Sequence, residues 1–313
     1  MAHDHSHGHG HAHGHHHHHV DPDAGDARVA MAVGVNVALT VAQIVGGVLS
    51  GSVALIADAI HNLSDAASLG IAFFARKIAR RPTDAGMTFG YKRAELIAAL
   101  INYTTLIVIG FYLIYEGIMR FFAPPEVAGW MVIIVAGIAL AVDLATALLT
   151  WKLSKDSANI RAAFLHNVAD ALGSVAVIVV GILIVAFDWR LADPIATLGI
   201  AGYILWMGFA EIRGVIHILM LGSPPWIDPE AVLAEMGAVE GVENVHHLHV
   251  WQISEDTVSL EAHVVVTPAH WPDCQTVKEA VKARLAQVFD VAHVTLDMEG
   301  PGTACDGASA IGG

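Results

Sequence analysis

Six apolar stretches dominate this sequence, each of about the length that crosses a hydrocarbon core of about 30 Å as a helix. They run over residues 29–49, 53–75, 96–115, 127–151, 162–187 and 194–210, the first two parted only by Ser50-Gly51-Ser52. In lipid a backbone satisfies its polar groups within its own helix, so the pattern predicts a polytopic α-helical membrane protein with six transmembrane helices. Composition agrees, because 55% hydrophobic against 15% charged residues, with a mean hydropathy of +0.57, leaves too little charge for an ordinary soluble surface. Sixteen Lys+Arg against thirty Asp+Glu give a net charge of -14, which excludes nucleic-acid binding through a basic face. Cys274 and Cys305 are too few for a disulfide framework in 313 residues.

Basic residues concentrate between the second and third stretches (Arg76, Lys77, Arg80, Arg81, Lys92, Arg93) and between the fourth and fifth (Lys152, Lys155, Arg161). The opposite side carries only Arg120 and Arg190. Cytoplasmic loops keep the excess of Lys and Arg, so an even number of spans puts both termini in the cytoplasm, and no signal-peptide pattern opens the chain. Beyond Pro224-Pro225 the character changes: a helical pattern over 228–239, strands over 245–253 and 258–266, a helix over 276–289 and a strand over 292–298. That order is most of a split βαβ unit, a cytoplasmic α+β domain of ferredoxin-like type. The expected organisation is a His-rich disordered cytoplasmic head (1–27), a membrane domain (28–213), the ferredoxin-like domain (214–299) and a Gly/Ala/Ser-rich disordered tail (300–313).

An ionisable residue inside a span costs several kcal/mol and calls for a reason. The second stretch contains His61-Asn62-Leu63-Ser64-Asp65-Ala66 and the fifth His166-Asn167-Val168-Ala169-Asp170-Ala171, so one hexapeptide pattern occurs twice. Residues four apart share a helical face, so each helix offers one imidazole and one carboxylate to a common ion. Each motif lies about 12 to 18 Å into its helix at 1.5 Å per residue, near the midplane from either side. His61, Asp65, His166 and Asp170 are thus expected to form a four-ligand site of the kind Zn²⁺ prefers, to which Co²⁺, Ni²⁺ and Cd²⁺ are less suited. Packing by His–Asp hydrogen bonds alone would not require the same hexapeptide at matched depth. Asp58, one turn before His61, is an accessory that orients the site or faces water, and Asp143, alone in the fourth stretch, is a ligand, a proton carrier or a packing contact. Four protein ligands leave no open position for catalysis, and no H-E-x-x-H occurs, so the chain reads as no enzyme. A non-transporting metal sensor would share every ligand.

The paired H-x-x-x-D motifs, the segment Thr88-Phe89-Gly90-Tyr91-Lys92-Arg93-Ala94-Glu95 and Val245-His246-His247-Leu248-His249-Val250-Trp251 together resemble the cation diffusion facilitator family, in particular its zinc-type bacterial members. The resemblance implies a homodimeric metal/proton antiporter of the bacterial inner membrane. It would export divalent metal, Zn²⁺ foremost, against protons, with lipid and metal as partners and a metallochaperone-like cytoplasmic domain. It gives His61, Asp65, His166 and Asp170 as the transport site, and His246, His263, Asp297 and Glu299 as a second site in the cytoplasmic domain, with His247 and His249 close by. A third family site, in the loop between the second and third helices, is expected to be absent, because Met87 and Tyr91 stand where its histidines would fall. Cys305, past the last strand, is within reach of joining that site, with an exposed thiol as the favoured reading. The head carries eleven histidines within residues 3–19, a composition that collects metal near the entrance.

Overall fold

The computed structural model describes the backbone of residues 26–151, 158–291 and 293–300 and, in the tail, of 302, 303, 305 and 307–312. Residues 1–25 of the His-rich head lie outside these residues, as do the side chains of Asp65 and His166 within their helices. Six long helices come first: α1 (Asp26–Ser50), α2 (Val53–Ala79), α3 (Ala94–Phe122), α4 (Gly129–Trp151), α5 (Ala158–Phe187) and α6 (Ala192–Leu219). Four of them contain stretches long and apolar enough to cross a membrane, at Ala94–Phe122, Gly129–Leu148, Asn167–Phe187 and Ala192–Leu219. In α1 and α2 the described apolar parts are shorter, Val37–Ser50 and Val53–Ser64. Phe122, Trp206 and many other large apolar side chains stand exposed on these helices, an outer surface suited to lipid and not to water.

Two helices outrun their hydrophobic patterns. The apolar run of α3 ends at Tyr115, yet the helix continues to Phe122 because Glu116 and Arg120 pair one turn apart at 2.8 Å and Pro124 is the first breaker. Likewise α6 continues past 210 to Leu219, with no proline before Pro224.

The chain divides into two compact units, one comprising residues up to Leu69 with Gly110–Tyr203, the other Gly70–Ile109 with Ile204–Gly313. In the first, α4 and α5 approach closely through glycine: a Cβ on Gly181 would meet the Gly129 carbonyl at 3.0 Å and Ile133 Cγ1 at 2.7 Å. Leu55, Val132, Ala136 and Val177 form a fully buried cluster there. The turn between α1 and α2 is held from three directions. Asp193 accepts from the Ser52 hydroxyl (2.5 Å) and from the Val53 and Ala54 amides (3.1 and 3.3 Å), Arg120 donates to the Gly51 carbonyl (2.5 Å), and the Ala128 amide donates to Ser50 (2.8 Å).

In the second unit, α7 (Pro229–Gly237) begins at Asp228, whose carboxylate accepts from the Glu230 amide, with Pro229 at its first position. Strands β1 (Val242–Ser254) and β2 (Thr257–Val266) pair antiparallel; α8 (Cys274–Phe289) crosses over to β3 (His293–Glu299), parallel to β2. The order α, β, β, α, β is the one the sequence pattern predicts, and the sheet has three strands in the order β1-β2-β3. Met236, Leu248, Leu260, Val281, Leu285 and Leu296 fill the space between sheet and helices. The described end of the tail runs along β1: the His247 and Leu248 amides donate to Ser309 and Ala310, and the Gly312 amide donates to Leu248. A β-bulge between His246 and His249, with His247 at a positive φ of 51°, turns these backbone groups away from β2 and leaves them for the tail.

Candidate metal sites

Helix α2 carries Asp58, His61, Asn62 and Asp65 on successive turns, and α5 carries His166, Asp170 and Ser174 in the same way. The two helices approach each other at His61 and Asp170. His61 Nε2 lies 3.6 Å from Asp170 Oδ1, both nearly buried, and the His61 ring rests edge-on against Tyr203 of α6 at 5.8 Å. Asp65 stands one turn along α2 from His61, and His166 one turn before Asp170 on α5.

The accessory carboxylates are buried too, each with a partner that the motif does not contain. Gln43 of α1 donates to Asp58 Oδ2 at 2.8 Å and accepts from Asn62 at 3.1 Å. The Ser174 hydroxyl donates to Asp143 Oδ2 at 3.3 Å. Asp58 fits against α5 because residue 173 is glycine: a Cβ there would sit 3.0 Å from Asp58 Oδ1. Polar groups from α1, α2, α4 and α5 are thus gathered in an otherwise apolar bundle, where hydrogen bonds are obligatory. Sequence reasoning missed Gln43, Ser174 and Gly173. Gln43 was visible as a polar residue within an uncharged apolar run, and Ser174 as the next turn after Asp170, but nothing marked Gly173.

A second group of donors lies in the cytoplasmic domain. His246 and His263 are cross-strand partners, and His263 is aligned with Asp297. Glu299, at the end of β3, draws the histidines together: His263 Nδ1 donates to Oε1 at 2.7 Å, and His246 Nε2 lies 3.3 Å from Oε2. Burial alone would raise the Glu299 carboxyl, but hydrogen bonds from His263 and Cys305 and the nearby His246 outweigh it and hold the group below its ordinary range. One atom each of His246, His263, Glu299 and Cys305 fall within 4.8 Å of one another. Asp297 is not among them; it is exposed, two residues earlier on β3 and so about 7 Å along the strand. Cys305 lies in this group, its Sγ 3.5 Å from Glu299 Oε1. His247 stacks edge-on to His263 at 4.9 Å, whereas His249 pairs with Glu261 further along.

In the loop between α2 and α3, Asp84 accepts from the Gly86 and Met87 amides (2.8 and 2.9 Å) and from the Tyr91 hydroxyl (2.6 Å). Within the second unit this loop reaches the sheet, with Lys92 donating to Thr257 and Arg93 to the Ile253 carbonyl.

The profile of the cation efflux transmembrane domain matches residues 29–220, and that of the cation efflux protein cytoplasmic domain matches residues 224–301. This chain belongs to the cation efflux family. Among its relatives, a cadmium, cobalt and zinc/H⁺-K⁺ antiporter of Bacillus velezensis is 38% identical, covering 82% of this chain and 83% of the relative. Zinc transporter ZitB of Escherichia coli is 35% identical with 87% of each chain covered, and the metal cation efflux system protein CzcD of Cupriavidus metallidurans 34% with 83% and 82% covered. The family is one of multi-pass membrane metal transporters and not of enzymes, and its relatives carry zinc, cadmium and cobalt.

Proposed function

We propose that this chain exports divalent metal, Zn²⁺ foremost, from the cytoplasm in exchange for protons, through a transport site of His61, Asp65, His166 and Asp170. The observation that carries the reading is the approach of His61 to Asp170 across α2 and α5, one residue from each H-x-x-x-D motif. Two imidazoles and two carboxylates suit Zn²⁺ in four-coordination, with Co²⁺, Ni²⁺ and Cd²⁺ as further substrates. Each ligand also binds protons, so metal and protons compete for the same atoms, and competition at a site that faces the two sides alternately is coupling. The relative named for H⁺ exchange supports this. Asp58 and Asp143 orient the site from behind.

The chain would span a bacterial inner membrane six times with both termini in the cytoplasm, as its basic residues favour. It would act as a homodimer, which the family of its cytoplasmic domain, named for dimerisation, supports. That domain, ferredoxin-like in its element order, would hold a further ion at His246, His263 and Glu299. The test is metal uptake by inside-out vesicles, with Zn²⁺, Co²⁺, Ni²⁺, Cd²⁺ and Mn²⁺ compared for the intact chain and Asp170→Ala. Flux of Zn²⁺ that is lost in the variant is expected; saturable binding with no flux in oriented, folded protein would make the chain a sensor.

A further inference from the structure

Past β3, described residues between Gly300 and Gly312 make contacts at two places on the sheet. The chain leaves β3 through a turn in which Gly300 and Thr303 hydrogen-bond each other, presents Cys305 to Glu299 through both the amide (3.4 Å) and the thiol (3.5 Å), and then joins the bulge of β1. At the bulge three backbone hydrogen bonds of 3.0, 3.1 and 3.2 Å link 309–312 to His247 and Leu248. Beneath this strap lies His246, 3% exposed, with an Nε2 that makes no hydrogen bond although it is only 3.3 Å from a Glu299 oxygen. A buried ring nitrogen in that position is costly without a partner and is placed as a ligand would be.

We propose that Cys305 makes the tail a metal-closed strap: a thiophilic divalent ion, held by His246, His263, Glu299 and the Cys305 thiolate, ties residues 300–312 across the sheet. The inference rests on the reading of this domain as metal-binding, and adds that the fourth ligand comes from the tail and not from Asp297. When the ion binds, the Cys305 thiol gives its proton to solvent and a metal–sulfur bond forms, with no change of oxidation state. A donor set of two imidazoles, one carboxylate and one thiolate favours Zn²⁺, Cd²⁺ and Co²⁺ over Mn²⁺ and Mg²⁺. Strand β1 is the sheet's edge, so the ion's presence decides whether that edge is covered by the tail or open to another strand.

The test uses the full chain in detergent, titrated with Co²⁺, with the near-ultraviolet thiolate-to-Co²⁺ charge-transfer band and the visible d–d bands followed together. Hydrogen exchange of residues 302–313 is read with and without Zn²⁺. The charge-transfer band is expected in the natural sequence and in Cys274→Ser, and absent in Cys305→Ala and in His246→Ala/His263→Ala. With Zn²⁺ at ten times its Kd, tail exchange slows about tenfold in the natural sequence and is unchanged in Cys305→Ala. A d–d signal that needs His246 and His263 but carries no thiolate band overturns the strap and leaves the metal site standing. Metal binding and tail exchange indifferent to His246 and His263 overturn both.

Discussion

Asp84 and Tyr91 show what single residues do in the loop between α2 and α3. The Tyr91 hydroxyl, and after it the two amides, hold the Asp84 carboxyl below its ordinary 3.8, and the same hydrogen bond raises the Tyr91 phenol above 10.0. A depressed carboxyl stabilises above its unfolded value and loses that contribution as pH falls through the folded one. A raised phenol stabilises below its unfolded value and loses it as pH rises through the folded one. The loop contact is therefore constant between about pH 4 and pH 10. Tyr91→Phe is expected to return the Asp84 titration toward 3.8, measured by carboxyl NMR; an unchanged titration would mean that the amides alone set it. At Gly173 the prediction is steric. Gly173→Ala places a methyl 3.0 Å from Asp58 Oδ1, so the carboxylate shifts off Gln43, and metal transport is expected to fall about tenfold or more while the protein still folds. Transport equal to that of the natural sequence would remove Asp58 from the machinery. The four residues proposed as transport ligands are legible in the sequence because a repeated motif is a pattern along the chain. Gly173, Gln43 and Ser174 are not, since each matters through a contact with another helix, and one sequence fixes no helix rotation.

Among the elements, the start of α2 is the best secured. Ser52 caps it through the Leu55 amide at 3.1 Å, and Asp193, from the start of α6, accepts from Ser52 and from two free amides of the first turn. Removing the cap by Ser52→Ala should cost about 1 kcal/mol. Asp193→Ala leaves the buried Ser52 hydroxyl and two amides without their acceptor and should cost more, about 2 to 4 kcal/mol. Thermal unfolding in detergent orders the two: Asp193→Ala is expected to have the lower Tm, and equal values would show that water replaces the carboxylate. Helix existence is readable from hydrophobic length, but helix ends are not, because α3 runs on to Phe122, just before Pro124, and α6 to Leu219, where the chain turns with Leu221 at a positive φ of 62°, and neither stops where hydrophobicity fades. The cytoplasmic strands were readable from alternation and turn residues. The backbone hydrogen bonds between residues 309–312 and the bulge of β1 are not legible for a related reason: Gly/Ala/Ser composition carries no hydrophobic signal, and no periodicity announces a bulge.

For the whole molecule, the energetics of exchange set a number that can be measured. One pH unit is worth 1.36 kcal/mol per proton, a factor of about ten in an equilibrium ratio. If each metal ion leaving the cytoplasm is exchanged for n protons, the accumulation ratio at steady state rises about 10ⁿ-fold per unit of imposed gradient, with the membrane potential clamped to zero. In inside-out vesicles the lumen stands for the outside, so an acid lumen drives Zn²⁺ in and the uptake itself makes the lumen more alkaline. The expected plot of log accumulation against the gradient is a line of positive integer slope. Lumen pH, followed by a trapped dye, should rise in proportion to the metal taken up, and both signals should vanish in Asp170→Ala. A slope of zero, with Zn²⁺ still crossing, would leave the metal site in place and remove the proton from the mechanism, since ligands that bind protons couple nothing unless the protons travel in the opposite direction.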